Sequence, residues 1–264
     1  MVVQKDWSIY IMNSLNVLKF QVGNAKLIAI QDDDTDEIIV IKVHTISLPS
    51  GYSCPAADEC LSKANKVTGK ITEGVHMKYR CFSATDEARS TNARNARWHN
   101  FELLRRESTA TMVERIHHSL PKAAQIVRIH VAGDFFNQKY FDAWRIVASY
   151  NPDILFYAYT KSLNYWAKRI DRIPANLNLT ASVGGKHDSL IAELNLKYAK
   201  VVYHPSEAVN LGLEIDHDDS HAMYGTKPFA LLLHGTQPAN SLAAAAKKRM
   251  VAENIKFSYS RKKA

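Results

Sequence analysis

From position 125 onward the apolar residues fall into a repeating pattern. Short, nearly continuous apolar runs at 125–131, 154–159, 177–183, 201–203 and 229–233 alternate with segments of helical periodicity at 138–149, 162–170, 187–194 and 241–253. Apolar runs of that length suit strands buried on both faces, and their alternation with helices suits parallel βαβ units. Upstream, 84–106 predicts one long helix with an arginine-rich polar face, and 109–120 predicts a second that Pro121 ends. Further toward the N-terminus, 26–30 and 38–46 are apolar and β-branched around the acidic stretch 32–36, which reads as a hairpin. Its acidic tip lacks the glycine and the terminal glutamate of a calcium loop, so a solvated turn is expected. No linker divides the chain. The expectation is a single α/β domain over 1–264: a partial or complete parallel (β/α) barrel, or an open doubly wound sheet. Residues 1–47 would form an N-terminal β-hairpin extension, and 48–264 would carry a metal loop and the βα repeats.

In such folds ligands bind at the carboxyl ends of the strands. Glycine or polar residues recur at those positions: Gly133 and Asp134, Thr160 and Lys161, Ser182 with Gly184 and Gly185, His204, and His234 with Gly235. We take Gly133, Asp134, Thr160, Lys161, Ser182 and His204 as candidates for cofactor or substrate binding. Asp134 reads equally as a helix N-cap and His130 equally as a core histidine.

The three cysteines stand as Cys54-x5-Cys60-x20-Cys81, behind the breaker cluster Leu48-Pro49-Ser50-Gly51. An odd count is unsuited to a disulfide framework and is one short of the four ligands of a closed zinc site. Three thiolates suit a [4Fe-4S] cluster whose fourth iron stays open. Zinc completed by His76 or a later histidine is the alternative metal, and unligated cysteines are the bland one. No C-x2-C pair occurs, and there is neither a G-x-G-x-x-G nor a Walker sequence.

Composition changes this picture little. Hydrophobic residues at 46% and charged ones at 23% describe an ordinary globular chain. No apolar run reaches the length of a membrane span, and 1–18 lacks an export signal. A reducing cytoplasm without membrane association is the expected setting, where thiols are free to bind metal. The net charge of +8 permits a nucleic-acid partner, though part of it lies in 247–249 and 261–263. Arg89, Arg94, Arg97, Arg105 and Arg106 are expected on a solvated, salt-bridged face. Asp216, Asp218 and Asp219 with His217 and His221 suggest a flexible polar loop.

Several motifs together resemble the "gene product 88" family of bacteriophage proteins. They are the stretch from Leu48 through Cys54 to Cys60, Arg80-Cys81-Phe82-Ser83-Ala84, the run from Arg128 through Gly133-Asp134 to Phe136, Tyr157-Ala158-Tyr159-Thr160-Lys161-Ser162, and Leu233-His234-Gly235-Thr236-Gln237-Pro238. The resemblance implies a phage or prophage origin and the host cytoplasm. A more distant resemblance runs to radical S-adenosylmethionine (SAM) enzymes, which hold three cluster cysteines in a loop after the first barrel strand. It implies a radical-SAM-like barrel, SAM as ligand of the open iron, a host electron donor, and Ala132-Gly133-Asp134 at the SAM amino group. The usual C-x3-C-x2-C spacing is absent here. The expected function is a phage-encoded iron–sulfur protein with radical SAM-type chemistry on an unidentified small-molecule or macromolecular substrate. A nucleic-acid-binding or host-interaction protein with a structural metal, and an electron-transfer protein, are the alternatives.

Overall fold

The computed structural model describes residues 17–23 and 42–255, together with the backbone of 29–31 and 38–40. The N-terminal strands are β1 (Gln21–Val22), β2 (Ala29–Gln31), β3 (Ile38–Val40) and β4 (Val43–Ile46), followed by a hairpin of β5 (Ser62–Ala64) and β6 (Ile71–Glu73). Three helices follow: α1 (Phe82–Arg89), α2 (Thr91–Leu104) and α3 (Thr109–Ser119). The repeating part comprises β7 (Ile126–Ile129), α4 (Gln138–Tyr150), β8 (Leu155–Thr160), α5 (Leu163–Ala167), β9 (Leu177–Ser182), α6 (Ser189–Glu193) and β10 (Tyr198–Val202). The chain continues through α7 (Pro205–Asn210), β11 (Glu214–Ile215), α8 (Ser220–Met223) and β12 (Phe229–Leu232) to α9 (Leu242–Ala252).

Eight strands form one sheet in the order β1-β4-β7-β8-β9-β10-β12-β11. Every pair in it is parallel except β1 with β4. From β4 to β10 the spatial order follows the sequence, so successive crossovers step the same way. With right-handed crossovers that places their helices on one face. The packing agrees: Met112, Tyr140, Trp144, Leu163 and Trp166 of α3 to α5 lie against Ile46, Val127, Ile129, Phe156, Leu179 and Ala181. The same outer face continues through Val202, Ala230 and Leu232 under α7 and α9. Because strand side chains alternate, the intervening positions face the other way, where Val43, Ile126, Tyr157, Ala199 and Phe229 pack on Ala222 and Met223 of α8.

Three sequence expectations are corrected. The sheet is open, with β1 and β11 as edges, so a complete barrel is not formed. The second arm of the expected hairpin divides in two. Its first half, β3, pairs with β2, while β4 joins the main sheet beside β7. All four residues of β4 are buried between β1 and β7, which an appendage would not provide; the acidic stretch at 32–36 lies outside the described residues. The long helix expected over 84–106 is broken at Ser90. Its backbone is extended (φ −115°, ψ 106°), and its hydroxyl accepts from Ala93 N–H, so it caps α2. A serine that bonds its own backbone competes with the continuing helix.

Candidate functional site at the strand ends

Cys54 and Cys60 are close in sequence, and the β5–β6 hairpin returns the chain to them at Cys81. Ser62 pairs with Glu73, Gly74 N–H donates to Leu61 O at 2.7 Å, and Lys78 N–H to Glu59 O at 2.7 Å. The chain thus leaves after Cys60, turns, and returns beside its point of departure before Cys81, whose N–H lies 3.4 Å from Ser62 Oγ. The twenty intervening residues are an excursion. Cys54, Cys60 and Cys81 all line one cavity of about 700 Å³ that opens at the carboxyl ends of β4, β7, β8, β9 and β12.

Glycines let the cysteine loop sit close to these strand ends. Gly133 has φ +87°, and a Cβ there would come within 2.5 Å of Ser53 Oγ and 2.7 Å of Leu48 Cβ. Gly184 has φ +93°, with Glu59 where its side chain would project. Glu59 N–H donates to Gly184 O at 3.1 Å, and Lys186 N–H to Ala56 O at 2.9 Å. The start of the loop is fastened from α1. Buried Glu87 accepts from Ser50 N–H at 2.9 Å, from Ser50 Oγ–H at 2.7 Å and from Arg97 Nη1–H at 3.0 Å. Arg94 donates to the backbone carbonyls of Lys66, Val67 and Glu87. The solvated arginine face is therefore corrected for these two residues. Arg94 is 5% and Arg97 7% exposed, because the break at Ser90 folds α1 back on α2.

The other candidates divide. Gly133, Asp134, Thr160, Lys161 and Ser182 line the cavity; His204 does not. His204 instead caps α7, accepting from Ser206 N–H and lying 2.6 Å from Glu253 Oε2. Asp134 is no helix N-cap, since Asn137 caps α4. It accepts from Phe135 N–H at 2.7 Å, Thr160 Oγ1–H at 2.6 Å and Lys161 N–H at 2.8 Å, tying the ends of β7 and β8 together. Burial pushes its carboxyl up, and these three donors oppose the shift. Lys161 Nζ donates to Ser182 Oγ and Val183 O at 2.7 Å and to Ser182 O at 3.1 Å, which carries the clamp on to β9. His130 has φ +67° and lies between Phe135 and Tyr140 of the outer core, with Nε2 3.1 Å from the Tyr140 hydroxyl. Burial lowers it to about 3, so it is neutral.

The thiols share one electrostatic neighbourhood. Burial pushes Cys60 up to about 11, with Lys161 opposing and Cys81 and Asp134 reinforcing the shift. Burial also raises Cys54, followed by Asp134 and Cys81. As the side chains stand, no three His, Cys, Asp or Glu among the described residues converge closely enough to hold a metal ion. A lone zinc would gather thiolates about 2.3 Å from one point. A cluster binds each thiolate on a separate iron. The sulfurs must then face one volume, and all three cysteines line the one cavity.

The sequence shows Arg128 alternating with apolar residues on a strand but not what it pairs with at the cavity floor. Arg128 of β7 donates through Nη1 to Asp219, which also accepts from the Tyr157 hydroxyl at 3.0 Å and the Tyr159 hydroxyl at 3.3 Å. Asp216 and Asp219 are 0% and 1% exposed, so the polar loop expected at 216–221 turns these two acids inward while His217 and Asp218 stay exposed. An arginine alternating with apolar residues on a central strand was the available signal; its acidic partner lies 91 positions away.

The family model for gene product 88 matches residues 16–254. The chain belongs to the gene product 88 family. Two curated relatives are similar to it, each called "Gene 88 protein". That of Mycobacterium phage L5 is 30% identical over 129 residues, covering 45% of this chain and 47% of the relative. That of Mycobacterium phage D29 is 29% identical over the same coverage. The matched segment spans about half the length of these relatives. No solved structure matches the chain.

Proposed function

We propose that the chain is a phage iron–sulfur protein in which Cys54, Cys60 and Cys81 hold a [4Fe-4S] cluster at the mouth of the strand-end cavity. One observation carries this reading: all the cysteines of the chain line one cavity, brought there by a hairpin excursion and two close glycine approaches. A cluster held by these three cysteines would supply one electron to a small ligand in the cavity. The protein's own part is positional. Glu87 and Arg97 anchor the loop, Lys161 sets a positive charge beside Cys60, and the Asp134 clamp holds the strand ends on which the loop rests. The finer reading takes SAM as the ligand of the open iron and a substrate deeper in the cavity.

Anaerobic purification with iron and sulfide assays and electron paramagnetic resonance of the reduced protein tests the cluster. About four irons per chain are expected, lost in the Cys54→Ala/Cys60→Ala/Cys81→Ala variant. Iron retained by that variant would overturn the assignment. Reductant-dependent release of 5′-deoxyadenosine from SAM tests the finer reading, and a loaded protein that binds no SAM would refute it.

A further inference from the structure

The cluster reading leaves the cavity floor unused. There Arg128 is flanked by its register partners, Thr45 of β4 and Tyr157 of β8. Its guanidinium lies 5.1 Å from the centre of the Tyr159 ring. Of its three nitrogens only Nη1 has a hydrogen-bond partner among the described residues, Asp219. Nε is shut off from solvent, and neither it nor Nη2 has a hydrogen bond among the described residues, although the residue lines the cavity. A guanidinium offers five N–H donors in a rigid fork matched to carboxylate and phosphate oxygens. In its present pose most of that capacity is unspent, in surroundings where unmade hydrogen bonds are costly.

Two further features indicate what would fill it. The cavity lining holds five cationic side chains (Arg80, Arg97, Arg128, Lys161, Lys247) against three acidic ones (Asp86, Asp134, Asp219). Lys161 directs its ammonium only to neutral oxygens. Beside these charges, Val201, Leu231 and Leu233 supply an apolar wall. We propose that the floor binds a small organic oxyanion, a carboxylate or phosphate on an apolar body. The oxyanion accepts from Arg128 Nη2 while Asp219 holds Nη1. The apolar body lies along β10 and β12. The site is built on β7, β8 and α8 and does not depend on the thiols holding a cluster.

Benzoate and phenyl phosphate are suitable probes, with benzyl alcohol as a neutral control, in calorimetric titrations of the full chain before and after iron chelation. At least one of the two anions is expected to bind, benzyl alcohol more than tenfold more weakly, and chelation to leave the affinity unchanged. The better anion tells carboxylate from phosphate. Arg128→Lys keeps the charge and loses the fork, and is expected to weaken binding on the order of tenfold or more. Should that variant unfold, Arg128→Met/Asp219→Met replaces the buried pair with apolar side chains that cores tolerate; it is expected to fold and to lose binding. The inference is overturned if neither anion binds the native chain at millimolar concentration. Equal binding of benzyl alcohol, or retained binding in either Arg128 variant, overturns it as well. Binding that disappears with chelation would assign the probe to the metal and not to Arg128.

Discussion

At the scale of single residues, the backbone explains choices that side-chain chemistry does not. Gly133 and Gly212 both have positive φ, +87° and +65°, but only at Gly133 would a Cβ collide with neighbours; at Gly212 nothing lies within 4 Å. Gly212→Ala should therefore show the left-handed penalty alone, about 1 kcal/mol. Gly133→Ala should cost about 2 kcal/mol or more, since the cysteine loop must also shift. Urea titration of the two variants gives the comparison, and equal losses would deny the close approach. His130 offers a pH test. Its folded pKa, lowered from 6.5 to about 3, lies below the unfolded one, so the unfolded chain binds the extra proton between those values. The stability it contributes is complete above pH 6.5 and is lost as pH falls toward 3, by up to about 5 kcal/mol. His130→Asn, which tolerates the positive φ, should flatten the fall in urea midpoint between pH 7 and pH 4. An unchanged slope would remove His130 as the cause.

At the scale of elements, the α1–α2 pair and the β5–β6 hairpin are what make a site from the three cysteines. Ser90 ends one helix and caps the next, folding Glu87, Arg94 and Arg97 inward. Ser90→Ala should cost about 1 kcal/mol through the lost cap, read as a lower urea midpoint. Glu87→Ala leaves Arg97 buried with the Ser83 carbonyl and half-exposed Asp86 as partners and should cost about 3 kcal/mol. Because Glu87 also holds Ser50, the same variant should speed amide hydrogen exchange across 50–54 more than across the β5–β6 hairpin. Faster exchange in the hairpin alone would show that Glu87 does not anchor the loop.

At the scale of the whole molecule, an open sheet wound in one direction leaves its strand ends, and the part of its inner face that α8 does not cover, free for a cavity. Among the described residues no helix is long and apolar enough to cross a membrane. Loading a cluster would couple this whole framework to its mouth. Ligand that binds only the folded state stabilises it by mass action, so the loaded protein should melt higher than the chelated one. The difference should vanish in the triple cysteine variant. Thiols that burial raises must lose their protons to bind metal, so loading should release protons and weaken as pH falls.

The sequence by itself determined the βα alternation from β7 onward, the strand ends that face a cavity, and the cysteine loop that follows β4. These are local properties, written in apolar periodicity and in breakers such as Pro49 and Gly51. Only the tertiary structure decided that the sheet stays open and that β4 belongs to it. It also turned Arg94 and Arg97 inward, left His204 to cap α7, and paired Arg128 with Asp219. Each of these depends on partners distant in sequence, whose meeting is chosen by the burial of the whole chain and leaves no periodic trace. The hairpin between Cys60 and Cys81 shows the boundary well: the spacing was plain in the sequence, and its closure to a single cavity was not.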